Sequence, residues 1–232
     1  MNIVMSSSSN AKLGEEELNQ LRRKYIRSSL CFLKCDVTNF EDMSALFKTA
    51  TSMFGTIDIV INNAGIFKDS NWSKMIDINL KGVIYGTKLG MNCMSKDAGG
   101  KGGAIVNVAS VLGLAPLGGA PAYTATKHGV IGYTRAMAMP YHYNKSGVRV
   151  MAMCPGVTDT HLIKKANTDT NTPLDKEASR ELTVLPKQHV CYCGQCLMEM
   201  LKEGDTGSIW VVEDKEIYEV EIPERNALKK IM

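Results

Sequence analysis

Along this chain, short apolar runs alternate with stretches whose apolar residues recur at helical spacing. The run "LCFLKCDV" (30–37) closes on Asp36 and reads as a strand. The next stretch, "NFEDMSALFKTATSMFG" (39–55), places Met43, Leu46, Phe47, Ala50 and Phe54 on one helix face, with Gly55 as a stop. "TIDIVINNAG" (56–65) predicts a buried strand breaking into a polar turn, and "SKMIDINLKGVIYGTKLGMNCM" (73–94) predicts a helix. A strand at "GGAIVNVAS" (102–110), a helix over 122–139 and a strand at "GVRVMAMCPG" (147–156) follow. The series ends with a helix at "HVCYCGQCLMEMLKEG" (189–204) and a strand at "GSIWVVED" (207–214). Apolar strands separated by amphipathic helices imply parallel β-α-β units and a sheet covered on both faces. The expected fold class is α/β, a Rossmann-type doubly wound parallel sheet with ligand at the carboxyl ends of its strands.

Polar residues gather at those ends. Asp36 closes the first strand, Asn62 and Asn63 the second, Ser110 the third, and Pro155 and Gly156 the fourth. Each alone reads equally well as an ordinary loop residue; together, at one edge of one sheet, they mark a site. In "APAYTATKHGV" (120–130), Tyr123 and Lys127 stand four apart and share a helix face. An ammonium beside a phenol favours the phenolate. It would draw the tyrosine below its reference pKa of about 10, as a general base requires. The spacing alone is common by chance.

Composition narrows the picture. With 232 residues, 44% hydrophobic and 22% charged, the chain reads as one globular domain over 1–232. A net charge of +3 and no basic run argue against a nucleic-acid partner. No apolar run approaches the ~18 residues of a membrane span. The opening "MNIVMSSSSN" lacks the features of a signal peptide, so the expected location is the cytoplasm. Seven cysteines, an odd number, fit reduced thiols. His189, Cys191, Cys193 and Cys196 suggest zinc ligands, but the run continues as one helix along which successive cysteines diverge, so no metal is expected. Met137, Met139, Met151 and Met153 read as core filler.

The segments "INNAG", "IDINLKG", "IVNVAS", "YTATKHGVIGYTRAMA" and "GVRVMAMCPG" occur in that order, with Ser110 thirteen residues before Tyr123. Together they resemble the short-chain dehydrogenase/reductase family, from about Gly14 to about Pro223. "KCDVTN", "KHGVIGYTR" and "GSIWVVEDKEIYEVEIP" look most like its branch around the 15-hydroxyprostaglandin dehydrogenases and the insect alcohol-dehydrogenase-like enzymes. The resemblance implies an NAD(P)-dependent oxidoreductase interconverting a secondary alcohol and a ketone. It makes Tyr123 the proton acceptor, Lys127 the group that lowers its pKa and bonds the nicotinamide ribose, and Ser110 the partner of the substrate oxygen. Asn79 would hold a water linking Lys127 to solvent. Asp36 and Val37 would contact adenine, and Asn62, Asn63, Ala64 and Gly65 would form the turn under the adenosine ribose. Pro155, Gly156, Thr158 and Thr160 would lie at the carboxamide, beside Tyr123 and Lys127. The resemblance also implies a mobile lid over 160–186 and a homodimer or homotetramer formed through the helices at 73–94 and 122–139.

Two departures stand out. Family members open with a strand, a glycine-rich turn, a helix and a second strand. Here the earliest glycine, Gly14, is isolated, and only 13 residues precede it, against roughly 30 for a β-α-β unit. The first strand and the phosphate cradle are expected to be missing, with "NIVM" (2–5) standing in for the second strand. Ser8 takes the place of the acidic residue that selects NAD, so NAD is implied by the resemblance alone and NADP stays open. A truncated member unable to hold dinucleotide, acting at most through dimerisation, is the alternative. Ala120 replaces a glutamine of the prostaglandin enzymes, so another secondary alcohol is equally expected as substrate.

Overall fold

The structure, a computed structural model, describes residues 2–8 and 11–228. The chain runs β1 (Asn2–Ser7), α1 (Ala11–Lys24), β2 (Ser29–Lys34), α2 (Phe40–Phe54), β3 (Ile59–Asn62), α3 (Trp72–Ile76), α4 (Gly82–Met94) and β4 (Gly103–Val108). It continues with α5 (Pro121–Met137), α6 (Pro140–Ser146), β5 (Val148–Pro155), β6 (Val157–Thr158), α7 (His161–Thr168) and α8 (Pro173–Val184). It closes with β7 (Lys187–Gln188), α9 (Cys191–Glu203), β8 (Ile209–Glu213) and β9 (Glu216–Val220).

Strands β3, β4, β5 and β8 pair in parallel in that order, and β9 adds an antiparallel edge. The sequence pattern missed β9. Asp214 and Lys215 both take positive φ, +48° and +71°, which makes the two-residue turn whose twist suits a hairpin. Burial on both faces of β4 and β5 explains their unbroken apolar runs. On one face α4 and α5 bring Val83, Val130 and Ile131 against Ala152, Cys154, Ile209 and Val211. On the other, Cys196 and Met200 of α9 pack on Val106, Met151, Met153 and Val212. Cys191 lies exposed on that same helix, so its cysteines do diverge. Met151 and Met153 are core residues as expected, whereas Met139 caps α6 and is 58% exposed.

The predicted helix over 39–55 is α2, capped by the Asn39 side chain, which accepts from the Asp42 N–H at 3.0 Å. The predicted helix over 73–94 is broken: α3 passes into a π-helical turn over Asp77–Lys81 before α4 begins. The expected lid over 160–186 consists of α7 and α8. A reciprocal Thr172–Asp175 capping box starts α8, and Ala166, Ala178 and Leu182 are buried beneath the pair.

Strands β1 and β2 form their own parallel two-stranded sheet, from Asn2 opposite Ser29 to Ser7 opposite Lys34. Among the described residues no strand joins it to the larger sheet, so the interruption expected from the sequence falls between this ribbon and β3. Gly14 serves packing, since a Cβ there would lie 2.3 Å from the Phe32 ring. Ile59 and Ile61 of β3 are 46% and 45% exposed. Their partners Ala104 and Val106 place them on the α9 side of the sheet, beyond the cover of that helix.

Polar contacts fix how the helices sit on the sheet. The Asn62 amide donates to Asn107 Oδ1 at 2.8 Å, Thr87 Oγ1 donates to the same oxygen at 3.1 Å, and Asn107 Nδ2 donates to Thr134 Oγ1 at 2.9 Å. Strands β3 and β4 are thereby pinned to α4 and α5 in the core, where an unmade hydrogen bond is costly. Both Asn107→Ala and Asn107→Leu are expected to destabilise the protein, each on the order of 2–4 kcal/mol, seen as lower urea midpoints. A leucine variant as stable as wild type would show that the network contributes nothing beyond volume.

Candidate active site

The packing of α5 across the carboxyl ends of β4 and β5 turns one side of that helix into the sheet. Tyr123 and Lys127, one turn apart on it, are 7% and 4% exposed. Lys127 Nζ donates to the Val108 carbonyl at the end of β4, 2.9 Å away, and lies 5.5 Å from the Tyr123 ring centre. Ser110, two residues past β4, is 8% exposed; its hydroxyl accepts from the Leu112 N–H at 3.1 Å and donates to the Pro155 carbonyl at 3.4 Å. The serine, tyrosine and lysine therefore meet at one buried place, on the side expected.

Burial sets the charge states here. It pushes the Tyr123 phenol up to about 12, with the Ser110 side chain pulling the other way and the Cys154 thiol adding to the rise. It also brings Lys127 down to about 8. The acidified phenol expected from a neighbouring ammonium is not what this structure shows. Desolvation disfavours both charged forms and is the largest cause of each shift. Cys154, which the sequence reading passed over, lies in the same buried cluster and is itself raised to about 12 by burial. Nothing in its local sequence sets it apart from a core cysteine.

Asn79 is fully buried within the π-helical turn, a distortion that recurs at functional sites. Its Oδ1 accepts from the Ile66 N–H at 2.8 Å, and its Nδ2 donates to the Ile66 carbonyl at 2.9 Å. It thus clamps the turn that carries Gly65. A Cβ on Gly65 would come 3.4 Å from Asn79 Oδ1 and 3.9 Å from Lys127 Nζ, so all three adjoin. Asn63 and Ala64 on that turn are exposed.

The remaining expected residues are more scattered in use. Asn62 turns its side chain into the network under the sheet and away from the turn above it. Asp36 is exposed, and the Thr38 N–H and hydroxyl hold its carboxyl below the usual range. Val37 packs on Gly82, where a Cβ would sit 2.9 Å from its methyl. Gly156 lies flush with Glu213, and Thr158, in β6, donates to the Gly156 carbonyl at 3.0 Å. Thr160 immediately precedes α7, and its hydroxyl donates back to the Thr158 carbonyl at 3.2 Å without capping the helix. Asp69, absent from the sequence reading, binds the first turn of α5 through both carboxylate oxygens.

Compared with known proteins, residues 1–171 match the short chain dehydrogenase family. The chain is 44% identical over 140 residues to 15-hydroxyprostaglandin dehydrogenase [NAD(+)] of Bos taurus, covering 60% of this chain and 53% of that protein. It is 35% identical over 196 residues to alcohol dehydrogenase 2 of Ceratitis rosa, covering 84% of this chain and 76% of that one. The chain thus spans about half the length of the prostaglandin-dehydrogenase relatives it matches. A crystal structure of levodione reductase superposes with a TM-score of 0.77 at 24% identity, covering 92% of this chain and 86% of that one, and so shares the fold.

A titration of the phenols followed in the ultraviolet tests the site's electrostatics. Subtracting the Tyr123→Phe curve from wild type should isolate a group that ionises near pH 12, above the ordinary phenol at about 10. A difference curve centred at or below pH 10 would show that the ammonium wins over burial.

Proposed function

We propose, because this chain belongs to the short chain dehydrogenase family, that it interconverts a secondary alcohol and a ketone with a nicotinamide dinucleotide, Tyr123 handling the proton. The observation that carries this reading is the meeting of Ser110, Tyr123 and Lys127 in one buried cluster at the carboxyl ends of β4 and β5.

The residues present fit the nicotinamide end of such a cofactor. An ammonium has three donors, and Lys127 directs one at Val108, which leaves others for ribose hydroxyls. The Gly65 turn keeps the space beside that nitrogen clear of side chain. Pro155, Gly156, Thr158 and Thr160, at and beyond the end of β5, would lie at the nicotinamide carboxamide. For the phosphate end the fit fails among the described residues: no glycine-rich turn leads from a strand into a helix, and Gly14 is occupied in packing on Phe32. When bound, the dinucleotide supplies hydride exchange with the carbinol carbon. The similarity to 15-hydroxyprostaglandin dehydrogenase [NAD(+)] supports NAD as the form used.

The protein's own share is proton transfer and orientation. In ketone reduction the neutral Tyr123 phenol gives its proton to the carbonyl oxygen, and the Ser110 hydroxyl donates a hydrogen bond to the same oxygen. In alcohol oxidation the tyrosinate receives the hydroxyl proton. A phenol kept neutral by burial suits the first direction at neutral pH. Leu112, Leu117, Val157 and Leu182 make the surroundings of Tyr123 apolar, and fully buried Ala120 offers no polar contact. These features favour a compact apolar alcohol such as a cycloalkanol. A homodimer formed through α4 and α5 is the assembly we propose.

Titration with NADH, followed by its fluorescence, should give saturable but weak binding, with Kd of roughly 0.1–1 mM, about −5 kcal/mol. No saturation in that range would overturn the dinucleotide reading. With cyclohexanone as substrate, Tyr123→Phe should lower kcat/KM by about 10²- to 10⁴-fold and leave the NADH titration unchanged. Full activity in that variant would remove Tyr123 from the mechanism.

A further inference from the structure

Three consecutive residues on the turn after β3 face three different partners. The Phe67 ring lies 4.6 Å from that of Tyr123, tilted by 52°. Lys68 Nζ reaches the Asp169 carbonyl at 2.7 Å, the Asp169 carboxylate at 3.0 Å and the Asp175 carboxylate at 3.2 Å, all on the α7–α8 segment. Asp69, 7% exposed, accepts the Ala122 N–H on Oδ2 and the Tyr123 N–H on Oδ1, each at 2.9 Å.

The last contact answers a need created by the sequence. Helix α5 starts Ala120-Pro121, and Ala120 has no side chain to cap it. The first amides of a helix have no partner within it. Asp69 supplies from more than fifty residues away what an aspartate at the cap supplies locally, and its charge suits the positive end of the helix. Helix α8 meets the same region from the other side. Glu181 Oε2 accepts the Gly119 N–H at 2.7 Å, and a Cβ on Gly119 would lie 2.2 Å from the Ala178 nitrogen. The segment over α7 and α8 is thereby fastened to the backbone that sets the height and direction of Tyr123.

We propose that Lys68 and Asp69 act together as a strut through which the α7–α8 segment positions Tyr123. Asp69 is a positioning residue, since it touches the backbone of Tyr123 and no reacting atom; Lys68 transmits the state of the lid to it. The inference rests on the role given to Tyr123 above, but its structural half is measurable without turnover.

Hydrogen exchange resolved to single amides is the test, because the Ala122 and Tyr123 amides owe their protection to Asp69. Asp69→Ala should speed exchange at both by about tenfold or more. Should that variant fail to fold, Asp69→Asn keeps one acceptor and should expose one of the two amides. Lys68→Met should speed exchange in α8 and, through the strut, at Ala122 and Tyr123, while Lys68→Arg restores both. Exchange at Ala122 and Tyr123 that stays at the wild-type rate in Lys68→Met would overturn the coupling. Wild-type protection at both amides in Asp69→Asn would overturn the cap. With cyclohexanone and NADH, Lys68→Met should lower kcat by a larger factor than it changes KM. A wild-type protein that shows no turnover would sink the oxidoreductase reading and leave the exchange measurements to decide the strut.

Discussion

Desolvation of one face of α5 is the constraint on which the rest depends. The helix must bury Val130 and Ile131 to cover the sheet, and the same face carries Tyr123 and Lys127. Both therefore enter a medium that penalises charge, and each moves toward its neutral form. The lysine retains a hydrogen bond to Val108, and the tyrosine is held between Ser110, Phe67 and Cys154. The reactive character proposed for the site is a by-product of how the helix has to pack.

The rest of the architecture serves that face. The Asn62–Asn107–Thr134 network sets α5 against β4, the π-helical turn brings Asn79 under Gly65, and Lys68 and Asp69 tie the start of α5 to α8. The backbone that carries Tyr123 is thus fixed from three directions, as the role proposed for it would require. The ribbon of β1 and β2 stands apart from the large sheet and takes no part in this arrangement.

Much of this was legible in the sequence. Unbroken apolar runs identified β4 and β5 because both faces are covered, and the four-residue spacing put Tyr123 and Lys127 on one face. What sequence could not supply was the sign of the electrostatic balance. Proximity of an amine and a phenol is local and readable; the depth at which both are buried is a property of the whole packing. Asn62 is a similar case, since its position at a strand end is evident, but its side chain finds Asn107 forty-five residues away. The two helices of the 160–186 segment left little apolar pattern because their buried residues, Ala166, Ala178 and Leu182, are few and small, although "TPLD" (172–175) is a readable helix start. Asp69 left one indirect trace: a helix beginning Ala-Pro has no cap of its own and must find one elsewhere.

The most direct test of a phenol kept neutral by burial is the pH dependence of kcat/KM in both directions, which reports ionisations of the free protein. The account predicts that ketone reduction stays level up to about pH 8, where Lys127 begins to lose its proton, while ionisation of Tyr123 keeps alcohol oxidation from levelling below pH 10. An oxidation profile that reaches its plateau near pH 7 would mean that Tyr123 is already ionised there, and would contradict the central claim.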